Sequence, residues 1–247
     1  TLLAQSNQGA RLTAMGNNGA AVKDAWGVAA NPAAITDISL PSLQLNHQQH
    51  FLTKELRNQA LAFVFPAGRQ LFGLHLQRYG IPEYHTIKIG IVATKQLGAK
   101  LAIGVRANYH QLKISNYGAI NAISLDVGAI YQASPELCFG FYINNPSAAS
   151  YRLKTMYLNI PKAAYIGITY QTSAKLLLAG TVSGDIIATG IDYKVVDAFT
   201  LRGGISINPF THYIGIGFNK TKYKIDFTVS KNPILGYSPQ LTIGYVF

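Results

Sequence analysis

From Pro41 to Phe247 the chain is written in period two. Apolar and polar residues alternate in about fourteen short runs, most of roughly eight to twelve residues, and period two is the repeat of a β-strand. In Tyr223–Ser230 one face carries Tyr223, Ile225, Phe227 and Val229, and the other carries Lys224, Asp226, Thr228 and Ser230. Phe199–Ile207, Leu101–His110 and Ile123–Tyr131 repeat the division, with Arg202, Arg106 and Asp126 on their polar faces. Such a chain is all-β. A soluble barrel would turn the apolar face inward, but about fourteen strands enclose too wide a space for those side chains to fill. The consistent solution turns the apolar face out to lipid and the polar and glycine face in to a lumen. Closure then leaves no unpaired backbone edge in hydrocarbon.

Composition agrees. Charged residues make up 13% of the chain, about half the usual share. No apolar run approaches the ~18 residues of a membrane helix, whereas the alternating runs have the length of tilted transmembrane strands. The connections are also sorted. With the end before Leu43 taken as periplasmic, the tight turns near 66–69, 96–99, 133–136, 172–174, 196–198 and 220–222 all fall on that side. The long breaks 115–120, 145–161 and 231–238 fall on the other, as in outer-membrane barrels. The expected fold is therefore a transmembrane antiparallel β-barrel of about 14 strands over residues 41–247, in a bacterial outer membrane.

Residues 1–40 do not alternate. They are rich in Gly, Ala and Asn and contain the only tryptophan, Trp26. Small residues suit a segment pressed against a barrel wall, so this stretch is read as a plug or periplasmic cap; the alternative is a flexible or partner-docking arm. Asn31-Pro32 is a helix-start signal for a short turn through Ile35. Trp26 is the natural anchor, and its burial contributes on the order of a few kcal/mol. Asp24 is placed to pair with a lumen cation such as Arg106 or Arg202. Residues 1–6, TLLAQS, read either as the tail of a secretory signal or as mature protein.

The net charge is +11, but the lysines are scattered, many of them in turns, which argues against nucleic acid as a partner. The inward register carries Lys88, Arg106, Asp126, Asp192, Lys194, Arg202, Lys224 and Asp226. They read either as a lining selective for an anionic substrate or as ion pairs that hold the wall to the N-terminal segment through Arg11, Lys23 and Asp24. Tyr151, Arg152, Lys154 and Tyr157, in the longest external loop, read as a contact for lipopolysaccharide phosphates or a partner protein, or as a solvated loop. There is no Gly-x-Ser-x-Gly elbow. His47 and His50 are three apart, on opposite faces of a strand, a poor metal site. His75 and His110 read as isolated lumen residues. No catalytic, cofactor or metal site is expected. One cysteine, Cys138, excludes an intrachain disulfide. Leu241, Ile243, Tyr245 and Phe247 share a face; a last strand of this kind, with Tyr245 and Phe247 at its end, resembles the signal read by the bacterial barrel-insertion machinery.

The N-terminal residues carry a further likeness. Gly9-Ala10-Arg11, Met15-Gly16, Asp24-Ala25 and Asn31-Pro32-Ala33-Ala34-Ile35 resemble the signature of the FadL-like superfamily, most closely the PorV/PorQ branch of Bacteroidetes-type outer membranes. Ala34 stands where that group commonly has Gly, and Ile35 where it has Leu. The resemblance implies fourteen strands with an N-terminal hatch, and one of two activities. PorV/PorQ-type barrels are accessory subunits of protein export (type IX secretion) or barrel assembly, with other envelope proteins as partners. FadL-like channels pass small hydrophobic compounds from outside to a lateral opening. The long external loops that form the capture groove of FadL channels are missing here, only 145–161 being sizeable, and this favours the accessory role. A purely structural envelope barrel is a third reading.

Overall fold

The computed structural model describes residues 7–152 and 157–247, and the side chains of 7–151 and 158–247. Lys154 therefore lies outside the described residues, as do the side chains of Arg152 and Tyr157 and all of residues 1–6. The strands are β1 (Ser42–Gln49), β2 (Arg57–Ala67), β3 (Gln70–Gly80), β4 (Tyr84–Leu97), β5 (Leu101–Ile114), β6 (Gly118–Gln132) and β7 (Leu137–Asn144). They continue with the short β8 (Ser150–Arg152) and β9 (Tyr157–Asn159), then β10 (Ala163–Ser173), β11 (Leu176–Ser183), β12 (Ile186–Val196), β13 (Phe199–Ile207), β14 (Thr211–Lys220), β15 (Tyr223–Asn232) and β16 (Gly236–Val246). Among the described residues fourteen of these close into one antiparallel barrel, in which each strand pairs with the next in the chain except that β7 pairs with β10 across β8 and β9. Pairing from Ser42↔Val246 to Gln48↔Gln240 joins first strand to last. β8 and β9 form a separate hairpin inside the stretch expected to be an irregular loop.

Burial settles which face is which. Ile91, Ile123 and Ile214 point outward and are 64%, 69% and 69% exposed, while Arg106, Asp126 and Thr228 point inward and are 0%, 2% and 0% exposed. In water this would expose a continuous apolar belt and bury polar groups, the reverse of a soluble fold. In a bilayer it satisfies both faces. The chain is a transmembrane barrel of outer-membrane type. No described helix is long and apolar enough to cross a membrane.

Residues 7–36 run round the inside of the wall. They form a helix α1 (Gly9–Ala14) and two 3-10 turns, Ala25–Val28 and Pro32–Ile35. The second turn opens at Pro32 as its sequence predicts, with the Asn31 side chain accepting from Ala33 N at 3.0 Å. Gly9 has φ +76°, and a Cβ there would collide with the indole of Trp26. Trp26, Leu12, Met15, Val28 and Ile35 are all buried and form a core with Ala60, Ala62, Val64 and Val92 of the wall.

The wall is cut back to receive this segment. Cβ atoms at Gly73, Gly104, Gly128, Gly140, Gly167, Gly190, Gly204 and Gly215 would meet Val28, Pro32, Asn31, Ala20, Met15, Gly16 and Ala14. These glycines lie on β3, β5, β6, β7, β10, β12, β13 and β14, so the close approach extends over most of the circumference. Absence of a side chain at each point lets the segment come into contact with the wall, backbone against backbone at Gly104, Gly140, Gly190 and Gly204.

Candidate functional site around the N-terminal segment

All eight charged residues expected in the lumen lie on the inward register, but their surroundings differ. Five are neutralised in networks. Arg106 bonds Asp126 Oδ2 through Nε at 2.8 Å and Nη2 at 2.6 Å, and its Nη1 donates to the carbonyls of Val28 at 2.7 Å and Ala30 at 3.2 Å. Asp126 also accepts from Asn108 Nδ2 at 2.7 Å and Asn145 N at 2.8 Å. This desolvated pair is thus fully hydrogen-bonded, the condition under which a buried charge is tolerable. Across the barrel Arg202 bonds Asp226 at 2.6 Å and Asp192 at 3.2 Å. Arg11 of the N-terminal segment joins that group, bonding Asp192 at 3.0 Å and Asp24 at 2.7 Å.

The expected pairing of Asp24 with Arg106 or Arg202 does not form; Asp24 pairs with Arg11. Asp24 pairs within its own segment, because its carboxylate also accepts from Trp26 N at 2.9 Å and is thereby fixed as the cap of the first 3-10 turn. Lys23 likewise bonds Asp37 at 3.0 Å rather than the wall. Segment and wall are joined instead by Arg106 and Arg11, and by Asn31, whose Nδ2 donates to the wall carbonyl of Ala129 at 3.1 Å and to Ala20 O at 2.7 Å. Near the chain start, Thr242 Oγ1 accepts from Ala10 N at 2.9 Å and Gln240 donates to Asn7 at 3.2 Å.

The remaining three lumen cations, Lys88, Lys194 and Lys224, form no ion pair within 4.0 Å among the described residues. Each lines a cavity. On the external side of the N-terminal segment two cavities share Gln8 and Tyr165. One, of about 370 Å³, is bounded by Lys88, His75, His110, Tyr142, Tyr151 and Ile160. The other, of about 490 Å³, is bounded by Gln48, His50, Thr181, Ser206, Tyr213 and Leu235. On the periplasmic side a polar vestibule of about 330 Å³ holds Lys175, Lys194 and Lys224 beside Arg11 and Arg202.

Two expectations change at the first cavity. Tyr151, read from sequence as an exposed loop contact, is 8% exposed and lies edge-on to His110 at 6.4 Å. The β8–β9 hairpin folds back over the lumen mouth and carries the ring inward. His110 is not isolated either, since its Nε2 bonds Ser124 Oγ at 2.8 Å. Among the described residues His75 has neither ring nitrogen bonded, and it stands 6.5 Å from Trp26, edge to face. The stacked pair Tyr142–Tyr165, 4.3 Å apart, was not singled out by sequence reasoning; alternation alone does not say which inward tyrosines meet across β7 and β10. Outside, Tyr245 and Phe247 lie edge to face at 5.1 Å.

A concavity of about 640 Å³ also marks the lipid face, bounded by Leu45, Leu61, Leu76, Ile87, Ile89 and Leu241. The wall behind it is whole. β2–β3 pairing runs unbroken from Asn58↔Tyr79 to Ala67↔Gln70.

No protein-family model matches the sequence, and no curated protein matches it. Solved structures do. The CymD monoaromatic hydrocarbon channel superposes with a TM-score of 0.76 at 14% identity, covering 98% of each chain. The fold is that of the FadL-type channels. The Ralstonia pickettii toluene transporter TbuX gives 0.73 at 14% identity over 98% of this chain and 99% of that one. A Pseudomonas aeruginosa FadL homologue gives 0.70 at 13% over 98% of both. At such identities it is the FadL-type architecture that is shared.

Proposed function

We propose that this chain is a FadL-type channel for passive passage of small hydrophobic or amphipathic compounds across the outer membrane, with residues 7–36 as its hatch. The supporting observation is the stacking of two partly apolar cavities above the N-terminal segment and a polar vestibule below it, within one wall. The FadL-type architecture agrees, since those neighbours include hydrocarbon channels. A compound captured above passes when the segment yields. The vestibule favours exit downward over exit through the wall, which is unbroken at its lipid-facing concavity. Vesicles with a lipopolysaccharide outer leaflet, which hydrocarbons cross slowly, should take up 4-ethyltoluene faster with the purified protein than without it. Equal rates would refute the channel.

An accessory subunit of protein export, of PorV/PorQ type, is the second reading. It draws on the Gly9–Ile35 signature and on the compact external connections, such as 81–83 and 184–185. Co-purification of a large envelope complex in mild detergent, together with no uptake, would favour it.

A further inference from the structure

Resting on the channel reading, we propose that the external cavity beside β4 and β5 is a binding site for a compact organic monoanion, an aromatic or branched carboxylate, whose charge is received by Lys88.

Lys88 faces inward on β4, opposite His110 on β5 and Gln77 on β3. Its ammonium lines the cavity and has no carboxylate within 4.0 Å among the described residues. The acid closest in register, Asp126, is consumed: Arg106, Asn108 and the amide of Asn145 all bond it. The formal charges of Arg106, Asp126 and Lys88 sum to one positive charge beside the cavity, and a bound carboxylate would favour the protonated ammonium of Lys88. A second observation points the same way. His75 is 1% exposed, lines this cavity and has neither ring nitrogen bonded among the described residues. A buried imidazole that donates to nothing is costly, and a ligand carboxylate would accept its N–H.

The rest of the cavity suits an apolar body. Tyr142 and Tyr165 present stacked rings, and Leu158, Ile160 and Pro161 close the top. A volume of about 370 Å³ lies at the small end for ligand pockets. It fits one ring with short substituents. A neutral hydrocarbon of the same shape would leave Lys88 and His75 desolvated and unpaired, so the site discriminates by charge. Below, the vestibule sets Lys175, Lys194, Lys224, Arg11 and Arg202 against Asp24, Asp192 and Asp226, so its formal charge stays positive in the direction of exit.

The test uses an anionic and a neutral probe that share the 4-ethylphenyl body, 4-ethylbenzoate and 4-ethyltoluene, titrated calorimetrically into the full chain in lipid nanodiscs at neutral pH. The single Trp26, against His75, provides an independent fluorescence signal. The wild type should bind the benzoate about tenfold or more tightly than the toluene. Lys88→Met should bring the ratio near one, and Lys88→Arg should keep most of the preference. Equal or weaker binding of the benzoate by the wild type overturns the proposal without any variant, so a misfolded Lys88→Met does not rescue it. A preference that survives Lys88→Met overturns it too. Uptake of 4-ethyltoluene with no anion preference would sink this site and leave the channel standing. Anion preference through Lys88 with no uptake of either probe would do the opposite.

Discussion

Replacing Gly104 and Gly204 together with alanine should free the N-terminal segment while leaving the wall intact. Neither glycine has a positive φ, so alanine fits the strand backbone at both sites. The obstacle is the segment alone. At Gly104 the three nearest atoms to a new Cβ belong to Pro32 and Ala33, the closest at 2.5 Å; at Gly204 they belong to Gly16, Met15 and Ala14, again from 2.5 Å. Ordinary contact begins at 3.4 Å, so each backbone must retreat by the difference, 3.4 less 2.5, or 0.9 Å. Overpacking of this kind costs about 1–3 kcal/mol per site. The two sites are six strands apart round the wall, so the costs should add to about 2–6 kcal/mol. Strand pairing does not depend on the segment, and heat-modifiable migration on a gel should be unchanged. Conductance in a planar bilayer should rise, and Trp26 emission should shift to the red as its pocket opens. Unchanged conductance with unchanged emission would mean that the segment does not seal the lumen, and the hatch reading would fall.

Other consequences can be checked singly. Arg106→Met leaves Asp126 buried without its cation and the Val28 and Ala30 carbonyls without a donor, a loss of about 3–5 kcal/mol; hydrogen exchange at residues 28–31 should accelerate, and Asp126→Asn added to it should restore part of the protection. Trp26→Ala empties the largest buried side chain of the segment, costing about 3–5 kcal/mol and raising conductance less than deletion of residues 7–36 does; equal conductance of the two variants would contradict an anchoring role. His50, in the external β1–β2 connection, is held neutral by burial, its pKa pushed down to about 4 from 6.5. Because the folded value lies below the unfolded one, its contribution is intact above pH 6.5 and is lost as pH falls toward 4, so protease cleavage at residues 50–56 should rise over that window and not above it.

The wall was legible in the chain because its alternation is forced. Outward Ile225 and Phe227 need lipid and inward Asp226 and Thr228 need partners, and a slip of one residue would exchange them. Strand ends were less so. β6 begins at Gly118 rather than near Ala122, and β16 at Gly236 rather than Gln240, because strands above the bilayer go on pairing without an apolar face to mark them. The hairpin β8–β9 was missed for the same reason: three-residue strands carry too little period to read. At the candidate site the charged residues could be placed on the inward face, but their partners could not. Asp24 had cations on both sides of the lumen to choose from. The choice fell to Arg11 because the Asp24 carboxylate is tied to Trp26 N, a local geometry that spacing alone does not reveal.

The distribution of those partners indicates where the segment would yield first. Arg106 is wholly buried, and its grip on Val28 and Ala30 cannot be exchanged for water without first admitting water. Arg11 is different: its side chain is 25% exposed, and it lines the vestibule with Asp24 and Asp192. Pairs open to solvent are weaker and screened by salt. Opening should therefore begin at the Arg11 end, on the periplasmic side, while the Arg106 end stays docked as a pivot. If so, raising salt on the periplasmic face of an oriented bilayer should increase the frequency of brief openings, and the same change on the external face should not. Arg11→Gln should reproduce the salt effect and abolish its further dependence on salt. Openings that respond equally to salt on both faces would place the weak point elsewhere in the segment.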